Sequence, residues 1–359
     1  MSPWVYLSAH LSAILGFTGF IVGGAWSFAY PLFTFAFIPL VELFLSPRTA
    51  NQSEERLKAL GESPSYHWQL LAIVPLQYGL LATYLWCAVY GEWSLIEWIG
   101  CTLTMGVACG TYGINVAHEL GHQSDALSKW SSKALLLTSL YMHFFIEHNR
   151  GHHVRVATEE DPASARLNET VYQFWWRTVV GGFRSAWALE LRRLSRRSIS
   201  PWSWSNEALR FIVIELVFVA TIAIFGGWPA FLGFVISAVI GFSLLEIVNY
   251  IEHYGLQRRR NEKGRYEPVT PAHSWNSDYP LSRMVLFELS RHSDHHAHPR
   301  RAFQQLRHFP ESFQLPTGYP GMILLALVPP LYIPLMARCI ERETERVRQT
   351  LDVDSVSHA

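Results

Sequence analysis

Six apolar blocks, each about twenty residues long, decide what this chain can fold into. They run from Trp4 to Gly24, Trp26 to Leu45, His67 to Tyr90, Leu95 to Ala117, Leu209 to Gly226 and Pro229 to Ile251. At a rise of about 1.5 Å per residue, a helix of this length crosses a hydrocarbon core roughly 30 Å thick. Inside hydrocarbon every backbone N–H and C=O must find its partner within the protein, which leaves helices or closed barrels, and block length selects helices. The expected fold is an all-α integral membrane protein with six transmembrane helices. Only 16% of the residues are charged, against roughly 25% in soluble domains, so a simple soluble globule is excluded.

The turns between blocks one and two (Gly23-Gly24-Ala25), three and four (Gly91 to Ser94) and five and six (Gly226 to Pro229) contain no Lys or Arg, and the first basic residue is Arg48. Cytoplasmic loops collect Lys and Arg. Both termini, residues 46–66, residues 118–208 and everything after about 252 are therefore expected inside, with Trp26, Trp93 and Trp228 at the outer interface. The inner (cytoplasmic) membrane of a cell is the expected location. Two shorter stretches, Ala134 to Ile146 and the proline-broken Met322 to Met336, read as buried or interfacial. The chain is taken as a single membrane domain over 1–359. Its catalytic segments, 118–208 and 252–340, form a cytoplasmic helical cap, and the polar tail 341–359 is helical at first and frayed at its end. The opening Met1-Ser2-Pro3-Trp4 lacks the basic region of a cleaved signal, so the N-terminus is expected to be retained. Cys87, Cys101, Cys109 and Cys339 show no C-x-x-C spacing, which encodes neither a disulfide framework nor a cysteine-bound iron centre.

Sixteen histidines are the second constraint. They include His118-Glu-Leu-Gly-His122, Glu147-His148-Asn-Arg-Gly-His152-His153, Glu252-His253 and Arg291-His292-Ser-Asp294-His295-His296. Residues three and four apart share a helix face. The spacing therefore predicts that His118 with His122, His148 with His152, and His292 with His295 and His296 each present imidazoles to one point. Blocks four and six both end on the cytoplasmic side, so topology and spacing independently place nine imidazoles at one membrane surface. Nine ligands exceed one tetrahedral zinc and suit two metal ions with open positions. Imidazole binds zinc, copper and iron alike, so counting leaves the metal open.

At these residues the sequence resembles the membrane-bound alkane 1-monooxygenases, within the histidine-box integral-membrane diiron superfamily that also holds fatty acid desaturases and xylene monooxygenase. The resemblance runs from about residue 66 to 321. NVAHELGHQ, HFFIEHNRGHHVRVATEEDPASAR, NYIEHYGLQRR, HSWNS, LSRHSDHHAHPRRAFQQLR and LPTGYPGM carry it. Gln123 departs from the family, which commonly has Lys there. The resemblance implies two non-haem irons held by His118, His122, His148, His152, His153, His253, His292, His295 and His296. With O₂ as co-substrate they would place one oxygen in a terminal C–H bond. The division of ligands between the irons is not readable. Carboxylates are expected to accept the second ring N–H of such ligands. Glu119, Glu147, Asp161, Glu252 and Asp294 are the candidates, each equally suited to a solvated interfacial role. His273 and His298 fall outside the ligand pattern, and His10, His67, His143, His308 and His358 read as structural or exposed.

An alkane offers no polar handle and must be recognised by shape in an apolar channel. Extending the His118/His122 face by helical steps into the membrane gives Ile114, Thr111, Gly110, Val107 and Leu103, a set that ordinary small-residue helix packing explains equally well. Glu246, about two turns below His253, is costly to bury in a membrane and is a functional candidate. No nucleotide signature, haem site or nucleic-acid motif is present in the sequence. Electrons must come from another protein, and the resemblance implies rubredoxin, reduced by rubredoxin reductase. Arg192, Arg193, Arg196, Arg197, Arg258, Arg259, Arg260, Arg300 and Arg301 lie on the expected cytoplasmic face and could steer an acidic carrier. Lipid-headgroup contact fits each run as well. Competing readings are an H-E-x-x-H intramembrane zinc protease, a metal transporter, a xylene-type methyl monooxygenase and an acyl-lipid desaturase.

Overall fold

A computed structural model describes residues 2–357. The chain is mostly helical, and among the described residues four helices are long and apolar enough to cross a membrane. These are α1 (Pro3–Val22), α2 (Gly24–Glu42), α4 (Pro64–Tyr90) and α9 (Glu207–His253), with α3 (Glu54–Glu62) between the second and third. Large apolar side chains on them face outward, among them Ile14, Ile21, Leu40, Ile224 and Phe225. An exposed apolar surface of this kind belongs against lipid.

The expected breaks have physical causes in the backbone. Gly23 and Gly24 carry positive φ between α1 and α2, a conformation glycine adopts without a Cβ penalty. Gly227 (φ +67) interrupts the 47-residue α9 where the fifth block was expected to end and the sixth to begin. The fourth block is helical but not uniform. Ser94 and Glu97 form a capping box that starts α5 (Leu95–Ala108), a π-helical turn follows at Cys109–Ile114, and α6 (Asn115–Gly121) completes it. Asp125 caps α7 (Ala126–Leu137), and after Cys109–Ile114 a second π turn covers His148–His152, a further one lying at Phe33–Phe37 within α2.

The chain forms two compact units, each discontinuous in sequence. The first comprises residues up to 36, 64–151 and 179–245, and the second comprises 37–63, 152–178 and residues from 246 onward. α8 (Val171–Ser195) and α9 contribute to both. In the first unit, Thr104 donates to the Ser27 carbonyl and Tyr84 pairs with Thr102, so small polar groups stitch apolar helices together. The second unit departs from an all-helical expectation. β1 (Trp275–Asn276) and β2 (Phe313–Gln314) pair in parallel, between the short helices α10 (Pro280–Val285), α11 (His292–Ala297) and α12 (Tyr319–Ala326). Ser293 donates to Asn276 Oδ1, which ties α11 to this pair. The last helix, α13 (Pro329–Ser357), continues through most of the tail that was expected to fray. Glu343 on it is buried and pairs with Arg346 and Arg342. His358 lies outside the described residues.

Candidate metal centre

In the first unit α6 carries His118, with His122 as its C-cap one helical turn on, and the turn that begins at His148 brings a third imidazole to them. The His122 and His148 Nε2 atoms lie 3.0 Å apart, and those of His118 and His122 3.4 Å. The ring centroids of His118 and His148 are 4.3 Å apart, with Phe144 stacked on His148. Ser132 donates to the Ala117 carbonyl at 2.6 Å and fixes α6 against α7.

The second unit gathers the other six. One ligand atom from each of His152, His253, His292 and His296 falls within 4.8 Å of the rest, and all four residues are buried. His152 and His296 face each other with Nε2 atoms 3.2 Å apart, and His253 packs on both rings. His153 and His295 form a second pair, also at 3.2 Å. Nitrogens bound to one metal at about 2.0–2.1 Å lie roughly 2.8–3.4 Å apart for right-angled to tetrahedral arrangements. The four N···N distances, 3.0, 3.2, 3.2 and 3.4 Å, fall in that range. Among the described residues, buried His253 Nε2 and His296 Nδ1 have no hydrogen-bond partner, a deficit of about 1–3 kcal/mol per polar group that a metal or its bound molecules would remove. Burial, reinforced by His292, His153, His152 and His253, holds the pKa of His296 well below the ordinary imidazole value. Its ring stays neutral and keeps a lone pair to donate. The residues fit a resident metal.

Two carboxylates stand where orienting groups are needed. Asp161 Oδ2 accepts from His152 Nδ1 at 2.9 Å and from Ser164 Oγ at 2.6 Å. Burial alone would raise the Asp161 carboxyl, but His152, Ser164 and His253 outweigh it and hold it below the usual carboxylate range. Glu252 lies 3.1 Å from His292 Nε2 and accepts from the Tyr319 hydroxyl at 2.8 Å. The other candidates are placed differently. Asp294, on the ligand-bearing helix itself, accepts from His298 Nδ1, the Arg301 guanidinium and the Arg307 amide, so its contacts go to the helix end. Glu119 accepts from Gln123, the residue that departs from the family pattern. Glu147 is buried at the C-terminal end of the short helix before the second π turn. Glu246 is buried and accepts from Thr178 and Asn249.

Three expectations are corrected, two of them by the π turns. His148 and His152 do not share one point, because the wide turn between them sends His148 to His118 and His122 and His152 to His253, His292 and His296. His295 likewise leaves His292 and His296 and pairs with His153. The channel face was extended at α-helical spacing across Cys109–Ile114, where one extra residue rotates everything before it by about 100°. Leu103 accordingly lies at the exposed surface, while Val107 and Ile114 are buried. Gly110 is a packing contact, since a Cβ there would meet the Gly241 carbonyl and Leu244 at 3.0 Å. Thr111 accepts from Tyr30 and donates to the Val107 carbonyl. The third correction concerns the arginines. Arg193 is held by Glu190, Arg258 by the carbonyls of Glu267 and Val154, and Arg301 by Asp294. Arg192, Arg196, Arg197, Arg259, Arg260 and Arg300 are exposed.

No motif singles out Arg150, yet it sits in the second π turn and pairs with Glu190 at 2.5 Å and Glu207 at 2.8 Å. Ser164 and Tyr319 were missed as individual residues although both lie inside the motif stretches ATEEDPASAR and LPTGYPGM.

The fatty acid desaturase family profile matches residues 92–314. The chain is 39% identical over 338 residues to alkane 1-monooxygenase 2 of Pseudomonas aeruginosa, covering 93% of this chain and 90% of that one. It is 43% identical over 300 residues to the alkane 1-monooxygenase of Pseudomonas putida, covering 83% and 74%. The hydroxylase component of a xylene/toluene monooxygenase from Pseudomonas putida is similar at 27% over 326 residues, covering 90% and 85%.

Proposed function

Because the chain belongs to the alkane 1-monooxygenases, within the fatty acid desaturase family, we propose that its nine clustered histidines hold two non-haem irons at the cytoplasmic face of the inner membrane. The enzyme hydroxylates the terminal carbon of an alkane. When bound, the irons supply the redox chemistry in which O₂, two electrons and two protons convert R–CH₃ to R–CH₂OH and water.

The observation that carries the metal assignment is the buried four-imidazole set His152, His253, His292 and His296. It serves one iron, and five further imidazoles are available to a second. Asp161 fixes the ring of His152, and Glu252, itself held by Tyr319, faces His292. Burial of all four rings keeps water from competing for the substrate's place. A single-zinc peptidase built on His118-Glu119-x-x-His122 uses three ligands and would leave six imidazoles without a role.

Rubredoxin, reduced by rubredoxin reductase, is the proposed electron donor, and exposed Arg259, Arg260 and Arg300 are its proposed steering charges. The proposed topology has six spans, α9 counting twice across Gly227 and α5 with α6 supplying the fourth, and both termini cytoplasmic. Metal analysis of active protein is expected to give two irons per chain, and product analysis to give 1-octanol from octane. One zinc per active chain would overturn the metal assignment. Mainly 2-octanol would overturn end-on delivery of the chain.

A further inference from the structure

We propose that the tryptophan-rich loop 198–206, together with Arg192, Arg196 and Arg197, is a binding site for anionic phospholipid headgroups. The loop is built rather than loose. Arg193 donates to the Ser205 carbonyl at 2.6 Å while its guanidinium also grips Glu190, and Glu190 in turn accepts the backbone N–H of Glu207 at 2.9 Å. Asn206 donates to the Pro201 carbonyl across the loop. This frame holds Trp202 and Trp204 outward, 74% and 61% exposed. Trp187 packs beside Trp202 with ring centroids 6.0 Å apart. Trp130, 65% exposed, stands over Lys133, which pairs with Glu207 of the same frame.

Charge and position together identify the occupant. Arg192, Arg196 and Arg197 are exposed, and among the described residues no carboxylate forms an ion pair with any of them. The loop leads directly into α9 at Glu207, and outward-facing Leu216, Val217, Ile224 and Phe225 carry the apolar surface onward along that helix. Tryptophan rings prefer the boundary between headgroups and hydrocarbon, and cations beside that boundary attract anionic lipids. An acidic protein would satisfy the arginines but not an apolar surface continuous with a membrane span. The site is independent of the metal assignment.

The test uses full-length protein in vesicles of phosphatidylglycerol and phosphatidylcholine, with spin-labelled forms of each lipid read by electron paramagnetic resonance. The parent is expected to restrict labelled phosphatidylglycerol several-fold better than phosphatidylcholine. In the triple variant R192Q/R196Q/R197Q that preference is expected to fall to about one, since each cation near the surface accounts for roughly a five-fold attraction at most. The corresponding R192K/R196K/R197K variant should keep it. No preference in the parent, or an unchanged preference in the glutamine variant, would overturn the proposal. A raised Michaelis constant for the electron donor with lipid preference intact would overturn it too, and would mark the patch as a protein-docking surface.

Discussion

Replacing Asp161 with Asn tests whether the carboxylate on His152 organises the metal centre. The two side chains have nearly the same shape, so packing is preserved. The carboxylate accepts three hydrogen bonds, from His152 and Ser164 at Oδ2 and from the Ala163 amide at Oδ1. An asparagine has one accepting oxygen. If that oxygen faces His152, the NH₂ group meets the Ala163 N–H, donor against donor, and the reverse orientation gives up His152 and Ser164 instead. A buried hydrogen bond to a charged group is worth about 1.5–3 kcal/mol, and losing such a partner of a metal-bound imidazole costs about 10–100-fold in affinity. Competition between the full-length protein and a chromophoric iron chelator measures the effect directly. Ser164→Ala, which removes the hydroxyl that donates to Asp161 and accepts from the Ala157 amide but leaves the His152–Asp161 bond in place, should cost only a few-fold in iron affinity. Iron retention in Asp161→Asn within two-fold of the parent, while His152→Ala loses iron, would refute the orienting role.

The Glu190 network gives a pH prediction. Burial alone would raise the Glu190 carboxyl, but Arg193, the Glu207 amide and Arg150 outweigh it and pull it down to about 2. A depressed carboxyl stabilises the fold above its unfolded value near 4.3 and loses that contribution as pH falls towards the folded one. Glu190→Gln should therefore melt below the parent at neutral pH, with the difference closing between about pH 5 and 2; a constant difference in Tm across that window would contradict the linkage. Gly110→Phe should lower Tm and folded yield, because overpacking against Gly241 and Leu244 costs at least about 1–3 kcal/mol. A fully stable Gly110→Phe that merely accepts shorter alkanes would restore the channel reading of that position. Turnover should need a separate soluble donor whose Michaelis constant rises with salt, as Coulomb attraction is screened over about 8 Å at physiological ionic strength; turnover by purified protein with NADH alone would overturn the dependence, and a salt-independent constant would remove the charge steering.

Much of this was legible in the chain. Block length and glycine placement located the helix ends, because backbone satisfaction in lipid and positive φ are local requirements that Gly23, Gly24 and Gly227 record directly. The histidines could be found by counting, but not sorted. Sorting depends on whether the backbone between two residues is α or π, and neither Asn149-Arg150-Gly151 nor Gly110-Thr111-Tyr112-Gly113 announces a wide turn in a single sequence. The partners of the carboxylates were hidden for a different reason. Asp294 adjoins His295 in the chain and Asp161 lies nine residues from His152, yet Arg301 and Arg307 claim the first and His152 claims the second. That competition is decided by folding, not spacing.

The π turn at Cys109–Ile114 also limits how this protein can be rewritten. A wide turn is what a single inserted residue leaves behind in an α-helix, and removing one residue from 109–114 would let the segment relax to ordinary pitch. α6 would then swing by about 100° relative to α5, carrying both of its ligands away from His148 while every ligand residue remained in the chain. Chimeras that graft a relative's membrane half onto this chain must therefore conserve the residue count through the turn. A graft one residue short would express a complete set of nine histidines and still fail to assemble them.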